Sequence, residues 1–90
     1  MTKHVYISGR VQGVGFRYFT KKNARSIGIK GWVKNLPDGR VEAVFQGEEG
    51  AVERMLNKVR QGPKSSYVEF IDVEDKPDPL EGYSAFQVKY

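Results

Sequence analysis

A chain of 90 residues with a net charge of +4 can form one domain with a single hydrophobic core, which we expect to span residues 1–90. It has no cysteine and one histidine, which excludes disulfide bonds, thiolate chemistry and a histidine-rich metal site. Because no apolar stretch is as long as a membrane span and no signal peptide begins the chain, we expect a cytoplasmic protein.

The first predicted elements are a strand and a helix. Apolar or small residues occupy alternate positions in the strand: Val5, Ile7, Gly9 and Val11. The apolar residues that follow fall on one side of a helix: Phe16, Phe19, Ala24 and Ile27. Gly28 is expected to end this helix, because glycine readily adopts the left-handed conformation found after a helix.

A β-hairpin and a second helix are predicted next. Two short strands, residues 31–35 and 40–45, are joined by a turn at residues 36–39. Residues 48–61 have apolar side chains at helical spacing, and the Gly-Pro pair at 62–63 ends that helix.

The last third of the chain predicts two more strands. Residues 67–73 are rich in strand formers, but their alternation slips between Phe70 and Ile71, which indicates either a bulge or a strand buried on both faces. A polar loop over residues 75–82 then precedes a final strand with apolar residues at alternate positions: Phe86, Val88 and Tyr90.

This order predicts an α+β fold, a ferredoxin-like sandwich with βαββαβ topology and an extra C-terminal strand. Two helices would cover one face of a mainly antiparallel sheet. The right-handed crossover rule makes the first two strands parallel, so that their carboxyl ends lie at the same edge. Arg17 and Asn35 should therefore lie close together.

A glycine-rich segment lies between the first strand and the first helix. Residues 9–17 read GRVQGVGFR, with Gly13 and Gly15 two positions apart and Arg17 at the start of the helix. Glycines permit a tight loop whose backbone N–H groups point into one concavity. The helix N-terminus adds a partial positive charge and Arg17 a full one, so the segment predicts a pocket for a phosphate-sized anion.

Positive charge is concentrated in the same half of the chain. Residues 1–46 carry nine lysines and arginines against two acids (+7), and residues 47–90 carry six against nine (−3), which together give +4. Such an imbalance attracts anions towards the glycine-rich segment. Individually, Lys21, Lys22 and Arg25 are expected on the solvated face of the helix, without contact to a ligand.

Three segments of the chain together resemble the acylphosphatase family. Residues 9–17 are similar to its first motif, residues 31–35 (GWVKN) and 38–41 (DGRV) to its second, and residues 86–90 (FQVKY) to its last strand. The resemblance covers essentially the whole chain. It implies hydrolysis of carboxyl-phosphate anhydrides to a carboxylate and inorganic phosphate, without a metal or an organic cofactor.

The resemblance also implies roles for particular residues. Arg17 would bind the phosphoryl group and Asn35 would position the attacking water. The backbone amides implied to bind phosphate are those of Gln12, Gly13, Val14, Gly15, Phe16 and Arg17. The expected partner is a small acyl phosphate, with no membrane or nucleic acid, and the expected state is a monomer. Tyr90 is a candidate to pair its terminal carboxylate with a basic residue near the pocket.

The chemistry of acyl phosphates suits this small set of groups. Their leaving group is a carboxylate whose conjugate acid has a pKa of about 4, so it departs as an anion without a general acid. Positioning and electrostatic stabilisation can therefore supply most of the catalysis. A phosphate monoester would need a protonated or metal-bound leaving group.

Other interpretations remain open at this stage. Locally, Arg17 could be a surface ion-pair partner and Asn35 a turn former before Pro37. An RNA-binding module is an alternative, since residues 5–9 resemble the first-strand motif of the RNA-recognition domain. The predicted third strand, however, carries a glutamate and small aliphatic residues where that module needs aromatic ones. A third alternative is a phosphate sensor without turnover, or a detached version of the similar domain in hydrogenase-maturation carbamoyltransferases.

Overall fold

Five strands and two helices form in the order βαββαββ in the computed structural model, which describes residues 1–90. The strands are β1 (Thr2–Arg10), β2 (Lys30–Asn35), β3 (Val41–Gln46), β4 (Tyr67–Lys76) and β5 (Phe86–Lys89). The helices are α1 (Phe16–Ile27) and α2 (Glu49–Gln61). The predicted ferredoxin-like α+β fold, with an extra C-terminal strand, is confirmed.

The five strands form one sheet in the order β4-β1-β3-β2-β5. The central strand β3 is antiparallel to both β1 and β2, so these two strands run in the same direction, as the crossover rule predicts. β5 is parallel to β2. The carboxyl ends of β1, β2 and β5 therefore meet at one edge of the sheet, where the glycine-rich loop begins.

One face of the sheet packs against both helices and forms the core. Strand residues at alternate positions, such as Val5 and Ile7 of β1, are fully buried against the apolar faces of α1 and α2. Gly28 ends α1 in the predicted left-handed conformation, and its N–H donates to the carbonyl of Ala24 at 2.9 Å. Neither helix is long and apolar enough to cross a lipid bilayer.

Strand β4 differs in part from the sequence prediction. The slip in its alternation is a β-bulge, because Ser8 pairs with Phe70 whereas Gly9 pairs with Val68. Most of the strand is exposed at the edge of the sheet, so the alternative prediction, a strand buried on both faces, is wrong. The strand also continues through residues 75 and 76, which the sequence placed in a loop, since these residues pair with Lys3 and Thr2 of β1.

The face of the sheet opposite the helices carries a polar and aromatic cluster around Glu42. His4 Nε2 lies 2.6 Å from Glu42 Oε2, and Lys34 Nζ lies 3.6 Å from Oε1. The His4 ring stacks on Tyr6 and meets the edge of Trp32. Desolvation raises the pKa of Glu42, but hydrogen bonds from His4 and Tyr6 outweigh it and hold that pKa below its ordinary value of 4.5.

This cluster makes stability depend on pH. Because the folded-state pKa of Glu42 lies below the unfolded one, its carboxylate stabilises the fold above pH 4.5 and ceases to do so as the pH falls further. We expect Glu42→Gln to lower the free energy of unfolding by about 1 kcal/mol at pH 7, with a smaller difference at pH 3. Urea unfolding at both pH values measures this, with the exposed Glu53→Gln as control. An equal difference at both pH values would contradict the assignment.

Candidate active site

A cavity of about 230 Å³ opens at the edge of the sheet where β1, β2 and β5 end. It contains residues from the glycine-rich loop, the first turns of α1, the end of β2 and the C-terminal strand. No aspartate or glutamate lines it. Its lining consists of Val11, Gly13, Gly15, Phe16, Arg17, Tyr18, Lys21, Asn35, Val88 and Tyr90.

The glycine-rich loop leaves a run of backbone donors free beside this cavity. Gly13 and Gly15 have φ angles of 74° and 77°, a left-handed conformation that side chains disfavour. The N–H groups from Gln12 to Tyr18 donate no hydrogen bond within the protein, and the first helical bond runs from Phe19 N–H to the Gly15 carbonyl. With no acid in the first turn of α1, the positive end of the helix dipole is unopposed.

Arg17 lies in the first turn of α1 and forms no ion pair. Its guanidinium carbon is 4.7 Å from the centre of the Tyr90 ring. Parallel pairing of β2 with β5, in which Lys34 lies opposite Lys89, brings Tyr90 to this edge. The ring of Tyr90 thus contacts Arg17. The terminal carboxylate of Tyr90 forms no ion pair.

Asn35 is the last residue of β2, and it lines the same cavity as Arg17. Its Oδ1 atom is buried and has no hydrogen-bond partner. An unpartnered buried acceptor is destabilising by about 1–3 kcal/mol, so such an atom is uncommon unless a ligand or water completes it. Asn35 also makes no side-chain hydrogen bond to the following turn, in contrast to the role of a turn former.

Gln12 connects the loop to the hairpin that carries Asn35. Its Nε2 donates to the carbonyl oxygens of Leu36 at 2.8 Å and Arg40 at 2.9 Å. Leu36 N–H also donates to the Arg40 carbonyl, which closes the turn of the hairpin. The Gln12 side chain therefore holds the loop and Asn35 at a fixed separation, a function that its sequence position alone does not indicate.

Replacement of Gln12 should loosen this connection. In Gln12→Leu, the two carbonyl groups lose their side-chain donor and keep only a backbone one, and we expect a loss of about 1–2 kcal/mol in the free energy of unfolding. Turnover should fall about tenfold or more because the loop and Asn35 are no longer held in register. Gln61→Leu, the same change at the exposed end of α2, is the matched control. Full activity in Gln12→Leu would show that the loop is held by other means.

The comparisons with known proteins agree with this geometry. A family model described as acylphosphatase matches residues 3–88. The chain belongs to the acylphosphatase family. The acylphosphatase of Archaeoglobus fulgidus is 50% identical over 86 residues, 96% of this chain and 94% of that protein. The acylphosphatase of Rubrobacter xylanophilus is 55% identical over 73 residues, 81% of this chain and 66% of that protein. The crystal structure of acylphosphatase from Bacillus subtilis, 40% identical, has a TM-score of 0.94 and covers 99% of this chain and 98% of that one.

Of the residues expected to bind phosphate in this acylphosphatase fold, the structure places four at the cavity: Gly13, Gly15, Phe16 and Arg17. The other two, Gln12 and Val14, do not line it, although their N–H groups are free. Val14 packs against the hydrophobic core. A contact between these two amides and an anion stays a prediction.

Lys21 lies nearer the cavity than the sequence indicated, although the expectation that it contacts no ligand is not tested. It lines the cavity instead of lying on a purely solvated face, because it is four residues after Arg17 and thus on the same side of α1. Lys22 is exposed away from the cavity, as expected. Arg25 donates from Nη2 to the Phe86 carbonyl at 3.2 Å and so anchors β5. The spacing of four residues from Arg17 could have predicted that Lys21 lies near the cavity.

The exposed face of this acylphosphatase-family sheet carries the two aromatic rings that could stack on bases, Tyr6 and Trp32. A cation lies over each ring: the guanidinium carbon of Arg40 is 4.9 Å from the centre of the Tyr6 ring, and Lys89 Nζ is 4.5 Å from the centre of the Trp32 ring. The face therefore combines the carboxylate of Glu42 with positive charges. That the chain binds no nucleic acid stays a prediction.

Proposed function

We propose that the chain hydrolyses acyl phosphates to a carboxylate and inorganic phosphate, and that this cavity is where it does so. The loop N–H groups and the Arg17 guanidinium would bind the phosphoryl oxygens. Asn35 would orient the water that attacks phosphorus. The observation that carries the proposal is the buried, unpartnered Oδ1 of Asn35 in a cavity that also holds Arg17 and a free helix N-terminus.

The phosphoryl group is bound by donors that are already in place. The free N–H groups at the start of α1 and the guanidinium fork are complementary to a tetrahedral dianion. In the loose transition state, charge spreads over the three peripheral oxygens, and fixed donors stabilise that charge without rearrangement. No aspartate or glutamate side chain lies in the lining to oppose the charge of the substrate.

The attacking water is the second requirement. A carboxamide oxygen accepts a hydrogen bond from water and thereby directs a water lone pair along a fixed line. Asn35 Oδ1 has no protein donor, so a water molecule can occupy that bond without displacing another interaction. The carboxamide does not take the proton of the water, which ends on an oxygen of the inorganic phosphate as the acyl carboxylate leaves. This limitation is acceptable because in a loose transition state the nucleophile carries little bonding until late.

The lining also matches the leaving group. It contains no histidine, aspartate or glutamate that could act as a general acid. A carboxylate whose conjugate acid has a pKa of about 4 leaves without protonation, whereas an alkoxide does not. Nowhere in the chain do three or more histidine, aspartate or glutamate side chains form a group that could hold a metal ion. The proposed reaction needs only binding and orientation.

Hydrolysis of benzoyl phosphate in excess EDTA, run beside a phosphate monoester, tests the proposal. We expect many turnovers per enzyme molecule with benzoyl phosphate and no measurable release from the monoester. Stoichiometric phosphate binding without turnover would favour the sensor. Salt-dependent binding of single-stranded RNA without hydrolysis would favour the nucleic-acid module. Loss of activity in EDTA would contradict a metal-free reaction.

A monomeric state belongs to the same proposal. The two side chains assigned a role in the reaction, Arg17 and Asn35, lie in one chain and line one cavity, so no second copy is needed to complete it. Specific activity should therefore not change with protein concentration, and sedimentation should give the mass of one chain, 10.2 kDa.

A further inference from the structure

Lys21 is a cation of the cavity that the proposed reaction does not use. Its ammonium group forms no ion pair, and no aspartate or glutamate lines the cavity to neutralise it. Lys21 Nζ lies 5.7 Å from the centre of the Tyr18 ring, and Tyr18 is 64% exposed. Lys21 is therefore at the open side of the cavity, where its charge is available to a ligand.

The in-line geometry of phosphoryl transfer places the acyl group at the open side of the cavity. In phosphoryl transfer, the attacking and leaving oxygens lie roughly in line on opposite sides of phosphorus. If water is held at the buried Asn35, the acyl oxygen must leave away from it, towards the solvent-exposed rim. Tyr18, Lys21 and Tyr90 form that rim, and of these Lys21 alone carries a positive charge.

The separation between Arg17 and Lys21 sets the length of a substrate that could contact both residues. Residues four apart on a helix have Cβ atoms about 5–6 Å from each other. An anion at Lys21 would thus lie several bonds beyond the phosphoryl group at Arg17. A carboxylate separated from the acyl carbon by two methylene groups has a comparable reach.

Building on the proposed function, we propose that Lys21 is a specificity-determining residue that binds a second anionic group on the acyl part of the substrate. The preferred substrates would be acyl phosphates of dicarboxylic acids or of similarly charged acids. The contact is with a part of the substrate that does not react, so it acts mainly on KM. Tyr18 and Tyr90 would enclose the intervening carbon chain.

The test compares succinyl phosphate with butyryl phosphate, which has a methyl group in place of the distal carboxylate. Wild-type protein should have the higher kcat/KM with succinyl phosphate. In Lys21→Gln, the ratio of the two kcat/KM values should fall about fivefold, as expected for a partly exposed ion pair. Lys21→Arg should restore most of the ratio. Lys22→Gln, the same charge change at an exposed neighbour, should leave the ratio as in wild type.

The outcomes separate this inference from the proposed function. If Lys21→Gln lowers both kcat/KM values equally, Lys21 acts only on general attraction or on folding, and the inference is wrong. An unchanged ratio in Lys21→Gln overturns it as well. If wild-type protein hydrolyses neither substrate, the proposed function itself fails. Hydrolysis of both with a ratio that Lys21 does not affect leaves the function standing and removes the inference.

Discussion

Arg17→Lys should lower kcat/KM for benzoyl phosphate about a hundredfold or more, the effect typical of losing one preorganised donor to a transition-state oxygen. Lysine keeps the positive charge but loses the planar fork that can bind two phosphoryl oxygens at once. It also loses the flat group that lies 4.7 Å from the Tyr90 ring, and with it the contact that fixes the direction of the side chain. Competitive inhibition by inorganic phosphate should weaken about tenfold, since one charged hydrogen bond contributes about 1.5 kcal/mol.

Initial rates with phosphate as inhibitor measure both effects in one experiment. Arg10→Lys is the matched control, because Arg10 is exposed at the end of β1 and does not line the cavity. Arg17 forms no ion pair, so its replacement should leave the unfolding free energy close to that of wild type. Kinetics like those of wild type in Arg17→Lys would remove the guanidinium from the proposed mechanism.

Much of the fold could be predicted because local signals decided it. Alternating residues such as Val5 and Ile7 are buried on one face, and Gly28 ends α1 through its own conformational freedom. The end of β4 was missed because it has no such signal. Asp75 and Lys76 are strand residues only because they pair with Lys3 and Thr2, more than seventy positions away in the chain.

The site could be predicted to a similar extent. The topology required Arg17 and Asn35 to lie near one another, and both line one cavity, while their chemical roles stay predictions. The contact of Tyr90 with Arg17 depends on the parallel pairing of β5 with β2, which a short terminal strand does not reveal. The sequence assigned a role only to the backbone amide of Gln12, whereas in the structure its side chain forms hydrogen bonds that hold the loop against the hairpin.

Asn35→Ala should separate binding from catalysis. If Asn35 acts on water and not on the anion, turnover should fall about a hundredfold through loss of nucleophile positioning. Inhibition by phosphate should remain as in wild type, because the loop amides and Arg17 are untouched. Asn35→Asp retains an acceptor but places a negative charge in the cavity, so phosphate inhibition should weaken in Asn35→Asp and not in Asn35→Ala.

Asn35→Ala should lower turnover without lowering stability. In wild type, Asn35 Oδ1 is buried and accepts no hydrogen bond from the protein, so its removal breaks none within the fold. Asn35→Ala removes that atom, so the inactive variant should be at least as stable as wild type in urea. Asn57→Ala on the exposed face of α2 is the control, and it should change neither quantity. A residue that lowers stability while raising turnover is retained for its chemistry. Equal losses of phosphate binding and turnover, or a marked loss of stability, would instead make Asn35 part of the binding loop or of the fold.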